Sequence, residues 1–145
     1  MHDREHGHPS LTELSLGQEI PELIKQPTTR TLVQYAGASG DFYEIHYDDA
    51  FARAAGLPGV IVHGSLKGAW LAQLVTGWLG TAGRLTELSL RYQGIDVPGR
   101  PYRCRGVIRS IKDQEVELEI WGENDEGVRT TTGVAQVAFA RPAAP

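Results

Sequence analysis

The sequence has one cysteine, Cys104, among 145 residues. That excludes an intrachain disulfide framework and a cysteine-based zinc site. A lone thiol fits a reducing compartment, so a cytoplasmic location is expected. Basic residues never form a run, and the 14 of them are outnumbered by 18 acidic ones, for a net charge of −4. A mildly acidic chain without a basic stripe has no electrostatic footprint for nucleic acid. No apolar run approaches the roughly 20 residues of a membrane span. The longest weakly charged stretch, Gly68 to Gly83, is interrupted by Gln73, two threonines and four glycines. It suits a buried core helix, and no membrane association is expected. The polar start, through Ser10, lacks the apolar stretch of a signal peptide.

What is present suffices for one folded domain. Hydrophobic residues make up 41% and charged residues 22%, which rules out a wholly disordered chain. Residues 1–10 are expected to form a disordered tail and residues 11–145 one domain. His2, His6 and His8 lie in that tail, where no fixed geometry or supporting hydrogen bonds would make them a metal site. Residues 11–27 read as an extended, turn-rich lead-in punctuated by Gly17, Pro21 and Pro27.

Helices are expected first. Thr28 or Thr29 caps a helix through about Ala38, which Gly37 and Gly40 help to end. Asp48 caps a short helix from Asp49 to Ala55, stopped by Gly56 and Pro58. A longer helix runs from Ser65 to about Leu79. Leu66, Ala69, Trp70, Leu74 and Trp78 recur at spacings of three and four, and Leu71, Val75 and Leu79 widen the apolar face. A helix apolar around most of its circumference must be enclosed.

Strands follow. Arg84 to Tyr92 alternates in part, and Tyr102 to Ile111 carries Arg103, Arg105 and Arg109 on one side. Glu115 to Ile120 alternates cleanly, valine, leucine and isoleucine against three glutamates. Asn124 to Gly127 is a hairpin turn, and Val128 to Ala140 the last strand. Helices followed by antiparallel strands make this an α+β chain. One sheet that curls around the long helix leaves little else to cover its edges, which favours a partner subunit.

Reactive side chains concentrate between Ala38 and Leu66. Asp41 and His46, five apart, meet poorly in a regular helix. Across a helix end and the loop after it, both could turn into one pocket. A carboxylate beside an imidazole can activate water and pass a proton near neutral pH. From spacing alone the plainer alternative stands beside it: Asp41 a helix or turn cap and His46 a satisfied, partly buried histidine. The second element is His63-Gly64-Ser65 directly before the long helix. Gly64 permits close approach to the backbone, and the first N–H groups of the helix have no internal acceptors. They suit a developing oxyanion, helped by the helix dipole. The alternative is a simple helix start, with Ser65 near the cap and His63 holding the turn. No third ligand is evident that would make His63 part of a metal site.

Together, Ala38-Ser39-Gly40-Asp41-Phe42-Tyr43-Glu44-Ile45-His46-Tyr47-Asp48, Phe51-Ala52 and Gly56-Leu57-Pro58-Gly59-Val60-Ile61-Val62-His63-Gly64 resemble the MaoC-like (R)-specific enoyl-CoA hydratases and (3R)-hydroxyacyl-thioester dehydratases. The resemblance covers roughly residues 11 to 140. It implies the hotdog fold, a curled antiparallel sheet around one long central helix. It implies hydration of a 2-enoyl thioester, or the reverse, on CoA or acyl carrier protein, without metal or redox cofactor. Asp41 and His46 match the family's catalytic pair and Gly64 its oxyanion donor. Tyr43, His63, Ser65 and Ala72 would contact the substrate. Two departures stand out. Tyr43 and Glu44 replace a frequent Asn-Pro, and Ala72 replaces a serine that supports the catalytic group, a contact Tyr43, Ser65 or Gln73 would have to supply. The Phe42-Tyr43-Glu44 variant also resembles dehydratases acting on bulky acyl groups such as steroid side chains. The competing classes are a hotdog thioesterase, whose carboxylate commonly lies on the long helix, and a non-catalytic acyl-thioester-binding subunit of a heterodimer. Residues 65–79 contain no Asp or Glu, which disfavours the thioesterase. A homodimer or a pair with a related chain is expected.

Overall fold

The computed structural model describes residues 7–141. His2 and His6 of the expected tail lie outside the described residues, while His8 rests on Gly80. The lead-in supplies a 3₁₀ turn, Leu11–Glu13, and a three-residue strand β1, Leu23–Lys25. Helix α1, Thr29–Ser39, starts at a reciprocal cap in which Thr28 and Thr31 each accept the other's backbone N–H. It stops at Gly40, whose φ of 77° is left-handed. A 3₁₀ turn, Glu44–His46, leads to helix α2, Asp49–Ala54, whose first turn is capped by the Asp48 carboxylate. Helix α3 spans Gly64–Leu79.

Four long strands follow: β2, Gly83–Tyr92; β3, Tyr102–Lys112; β4, Glu115–Glu123; and β5, Arg129–Phe139. With β1 they form one antiparallel sheet in the order β1-β3-β4-β5-β2. Register shifts in β2, β3 and β5 bend it, since each irregularity adds local twist. Alternation in β4 sends Val116, Leu118 and Ile120 inward onto α3. Its glutamates face out, where Glu119 binds Arg109 and Arg129. Trp70, Leu71, Leu74, Val75 and Leu79 of α3 complete the core. Burying each such side chain contributes about 1.5–3 kcal/mol.

Enclosure of α3 is incomplete within one chain. Ser65, Ala69, Gln73, Thr76 and Gly77 form an exposed stripe, with Ala72 half-buried beside it. These are small or polar residues, so the stripe costs little in water. Among the described residues no helix is long and apolar enough to cross a membrane.

Candidate active site

The left-handed turn at Gly40 throws Asp41 off the end of α1, and the 3₁₀ turn then brings His46 back towards it. Asp41 Oδ2 and His46 Nε2 stand 3.8 Å apart. The Asp41 side chain is 44% exposed and His46 is buried. The Tyr43 backbone N–H donates to Asp41 Oδ1 at 3.4 Å. His46 Nδ1 lies 2.8 Å from the Ile61 carbonyl oxygen. A carbonyl only accepts, so Nδ1 carries the proton, and in the neutral ring Nε2 presents its lone pair towards Asp41. The strand-like step before α3 is held here too, because the Ile61 N–H donates to Ile45 O at 3.0 Å.

That step delivers His63. Its ring stacks on His46 with centroids 3.7 Å apart and planes 20° from parallel. Tyr35 packs edge-on against the same ring, at 4.8 Å. His63 Nε2 donates to the Asp41 carbonyl oxygen at 3.3 Å, so one imidazole touches both members of the pair. Burial, and then a positive charge on His46, hold the His63 pKa below the ordinary imidazole value. The unfolded chain therefore binds this proton more readily than the folded one. Stability from neutral His63 is fully present above about pH 6.5 and is lost as pH falls through its folded value. The melting temperature should drop between about pH 7 and pH 5, and His63→Gln should flatten that drop. An unchanged slope in His63→Gln would place the effect in other groups.

Gly64 is the first residue of α3. No side chain caps this end, and the first N–H with a helical acceptor is that of Lys67, on His63 O at 3.2 Å. The preceding N–H groups of Gly64, Ser65 and Leu66 have no acceptor within the helix. A Cβ at Gly64 would meet the Tyr92 ring first, at an ordinary 3.6 Å. Tyr92 thus lies over the first turn of α3, with its hydroxyl against Gly68.

A family model, the MaoC like domain, matches residues 13–136. The chain belongs to the MaoC-like domain family. It is 32% identical over 106 residues to the fatty acid synthase beta subunit TOXC of Cochliobolus carbonum, covering 71% of this chain and 5% of that subunit. It is 25% identical over 122 residues to the 3-oxo-4,17-pregnadiene-20-carboxyl-CoA hydratase beta subunit of Mycobacterium tuberculosis, covering 82% of this chain and 92% of that subunit. An (R)-hydratase from A. caviae involved in PHA biosynthesis superposes with a TM-score of 0.82 at 24% identity, covering 88% of this chain and 98% of that one. That likeness is one of fold, the hotdog.

In this MaoC-like chain Asp41, His46, His63, Gly64 and Tyr43 are neighbours; the Tyr43 ring meets His46 edge-on at 6.4 Å. Ser65 follows at the exposed start of α3. Ala72 lies eight residues beyond Gly64, about 12 Å along the helix axis. No hydrogen bond from Ser65 or Gln73 to the pair is found among the described residues. The Ile61 carbonyl supports His46 instead, a backbone partner that no side-chain motif reveals. Three potential ligand atoms of Asp41, His46 and His63 do fall within 4.8 Å of one another, a third ligand the spacing did not disclose. A metal ion sits in the plane of each ligating imidazole, about 2.0–2.1 Å from nitrogen. Two stacked, nearly parallel rings cannot share one ion without rotating, so the set does not fit a metal as arranged. Cys104 is fully buried, and burial pushes its thiol up to about 12, which removes it as a nucleophile at neutral pH.

Proposed function

We propose that this chain carries out (3R)-specific hydration of 2-enoyl thioesters, or the reverse dehydration of 3-hydroxyacyl thioesters. The observation that carries this reading is the Asp41–His46 pair, 3.8 Å apart, with His46 Nδ1 engaged on Ile61 O. The gap is too long for a direct hydrogen bond and lets one substrate water contact both acceptors. His46 Nε2 or Asp41 takes a proton from that water while its oxygen bonds to C3. The C2–C3 π pair moves towards the carbonyl, and the thioester oxygen gains negative charge opposite the Gly64 N–H. A proton from the same pair then reaches C2, restoring the carbonyl. Because the two groups face one water and one alkene, they act as one unit.

Tyr43, His63 and Ser65 would border the thioester, and Ala72 would wall the acyl group. Fatty-acid or steroid-like acyl chains fit the company of the relatives, on CoA or acyl carrier protein. The test is alkene loss across a panel of enoyl-CoAs. Hydration supports the reading, release of free CoA without hydration replaces it with a thioesterase, and no change leaves a binding subunit. In the same panel Ala72→Phe should slow long or bulky substrates more than crotonyl-CoA; equal losses would remove Ala72 from the acyl wall.

The assembly read here is a homodimer, or a pair with a related chain. The free edge of β2, ten residues long, and the open stripe of α3 both call for cover. Light scattering at micromolar concentration should give at least a dimer mass, and a fully active monomer would end this reading.

A further inference from the structure

Lys67 is the charged residue that the core helix should not tolerate. It is 2% exposed, at the same helical spacing as Trp70, Leu71 and Leu74. Its ammonium donates to Asp96 Oδ2 and to the Gly94 carbonyl oxygen, both at 2.8 Å. Asp96, itself buried in the β2–β3 connection, also accepts from Thr130 Oγ1 at 2.6 Å. Thr130 belongs to β5, and its carbonyl accepts the N–H groups of Gln93 and Gly94, so the connection is tied to the sheet.

A buried ion pair is weak evidence for stability, since an apolar pair of similar size often serves as well. Its place in the chain says more. The Asp96 carbonyl accepts the Val62 N–H at 2.8 Å. Val62 lies two residues before Gly64 and Lys67 three residues after it. One residue therefore grips the chain on both sides of the helix start, and Thr130 fixes that residue to the sheet. A hydrogen-bond donor aimed at a developing charge is effective only when its direction is set in advance.

We propose that Asp96, acting through Lys67 and Thr130, is a positioning residue that sets the direction of the Gly64 N–H towards the thioester oxygen. The inference rests on the enoyl-thioester reading. The test uses the full chain and 2,4-hexadienoyl-CoA, a conjugated thioester whose absorbance moves to longer wavelength when its carbonyl is polarised. The shift is read in an Asp41→Asn background, which keeps the ligand from turning over, and kcat and KM are read with Asp41 present. Asp96→Asn should cut the shift to less than about half and lower kcat about tenfold or more, with KM changed less than about threefold. Thr130→Val, which keeps the volume and the Lys67–Asp96 pair, should move both readouts the same way by less. A residue that only stabilised the fold would lower the melting temperature and leave the shift per folded molecule intact. Parental shift and kcat in both folded variants overturn the proposal while the hydratase reading stands. If Asp96→Asn does not fold, Thr130→Val decides alone on the same two readouts. Absence of both hydration and shift with Asp96 intact overturns the hydratase reading, and this inference with it.

Discussion

Asp41→Asn is expected to lower turnover of an enoyl thioester by at least ~100-fold while leaving the fold in place, since a general acid–base group contributes about 10²–10⁴-fold. The substitution keeps the side-chain shape and an oxygen for the Tyr43 N–H that now reaches Oδ1, and it removes the charge and the proton acceptor. The Asp41 side chain is 44% exposed, so removing its charge opens no fully buried site. His46 requires more care. It is buried, bonded to Ile61 O and stacked on His63. His46→Ala would orphan that carbonyl at about 1–3 kcal/mol. His46→Asn is the cleaner change, because its amide nitrogen can still donate near the Nδ1 position while nothing replaces Nε2. It too should cost at least ~100-fold. The double variant should be little worse than the worse single one, since both groups serve the same water and alkene. Turnover near that of the parent in folded Asp41→Asn protein would remove the pair from the mechanism. Chiral analysis of the product should give the (3R)-hydroxyacyl thioester; an (S) product would count against the reading.

Local chemistry made part of this molecule legible. The Thr28 cap, Gly40 and the Glu115–Ile120 alternation are signals within a few residues, and the elements they announce lie where expected. Asp41 and His46 could be paired from sequence because a glycine directly precedes Asp41 and permits the chain reversal. What was not legible depends on distant partners. Three-residue β1 exists because β3 pairs with it, not because its own pattern is strong. His63 meets His46 through a backbone bond from the Ile61 N–H to Ile45 O that carries no side-chain signature. Lys67 did give a signal, a charge at core spacing on an apolar helix, but its partner Asp96 lies in a connection that looks like an ordinary turn. The open stripe on α3 was hidden because periodicity reports how apolar a face is, not whether one chain has enough sheet to cover it.

Gly64→Pro separates the two roles of the helix start. Proline has no N–H, so the proposed oxyanion donor disappears, yet proline is favoured at the first position of a helix, where the N–H has no internal acceptor. The residue before a proline prefers extended backbone, and His63 already has φ −57° and ψ 133°. The added Cβ would meet the Tyr92 ring at an ordinary 3.6 Å. Helix α3 should therefore form, with little change in melting temperature. Turnover should fall about 10²–10³-fold, the usual cost of deleting one oxyanion donor. Most of that loss should appear in kcat, because the interaction strengthens as charge develops on the thioester oxygen. Gly64→Ala is the control: its methyl faces the same ring, its N–H is retained, and its loss should be at least tenfold smaller than that of the proline variant. Equal losses in the two variants would mean that bulk at position 64, rather than the missing donor, slows the reaction, and Gly64 would lose its assigned part. Normal turnover in folded Gly64→Pro protein would move the oxyanion contact to another group, the N–H of Ser65 being next along the same turn.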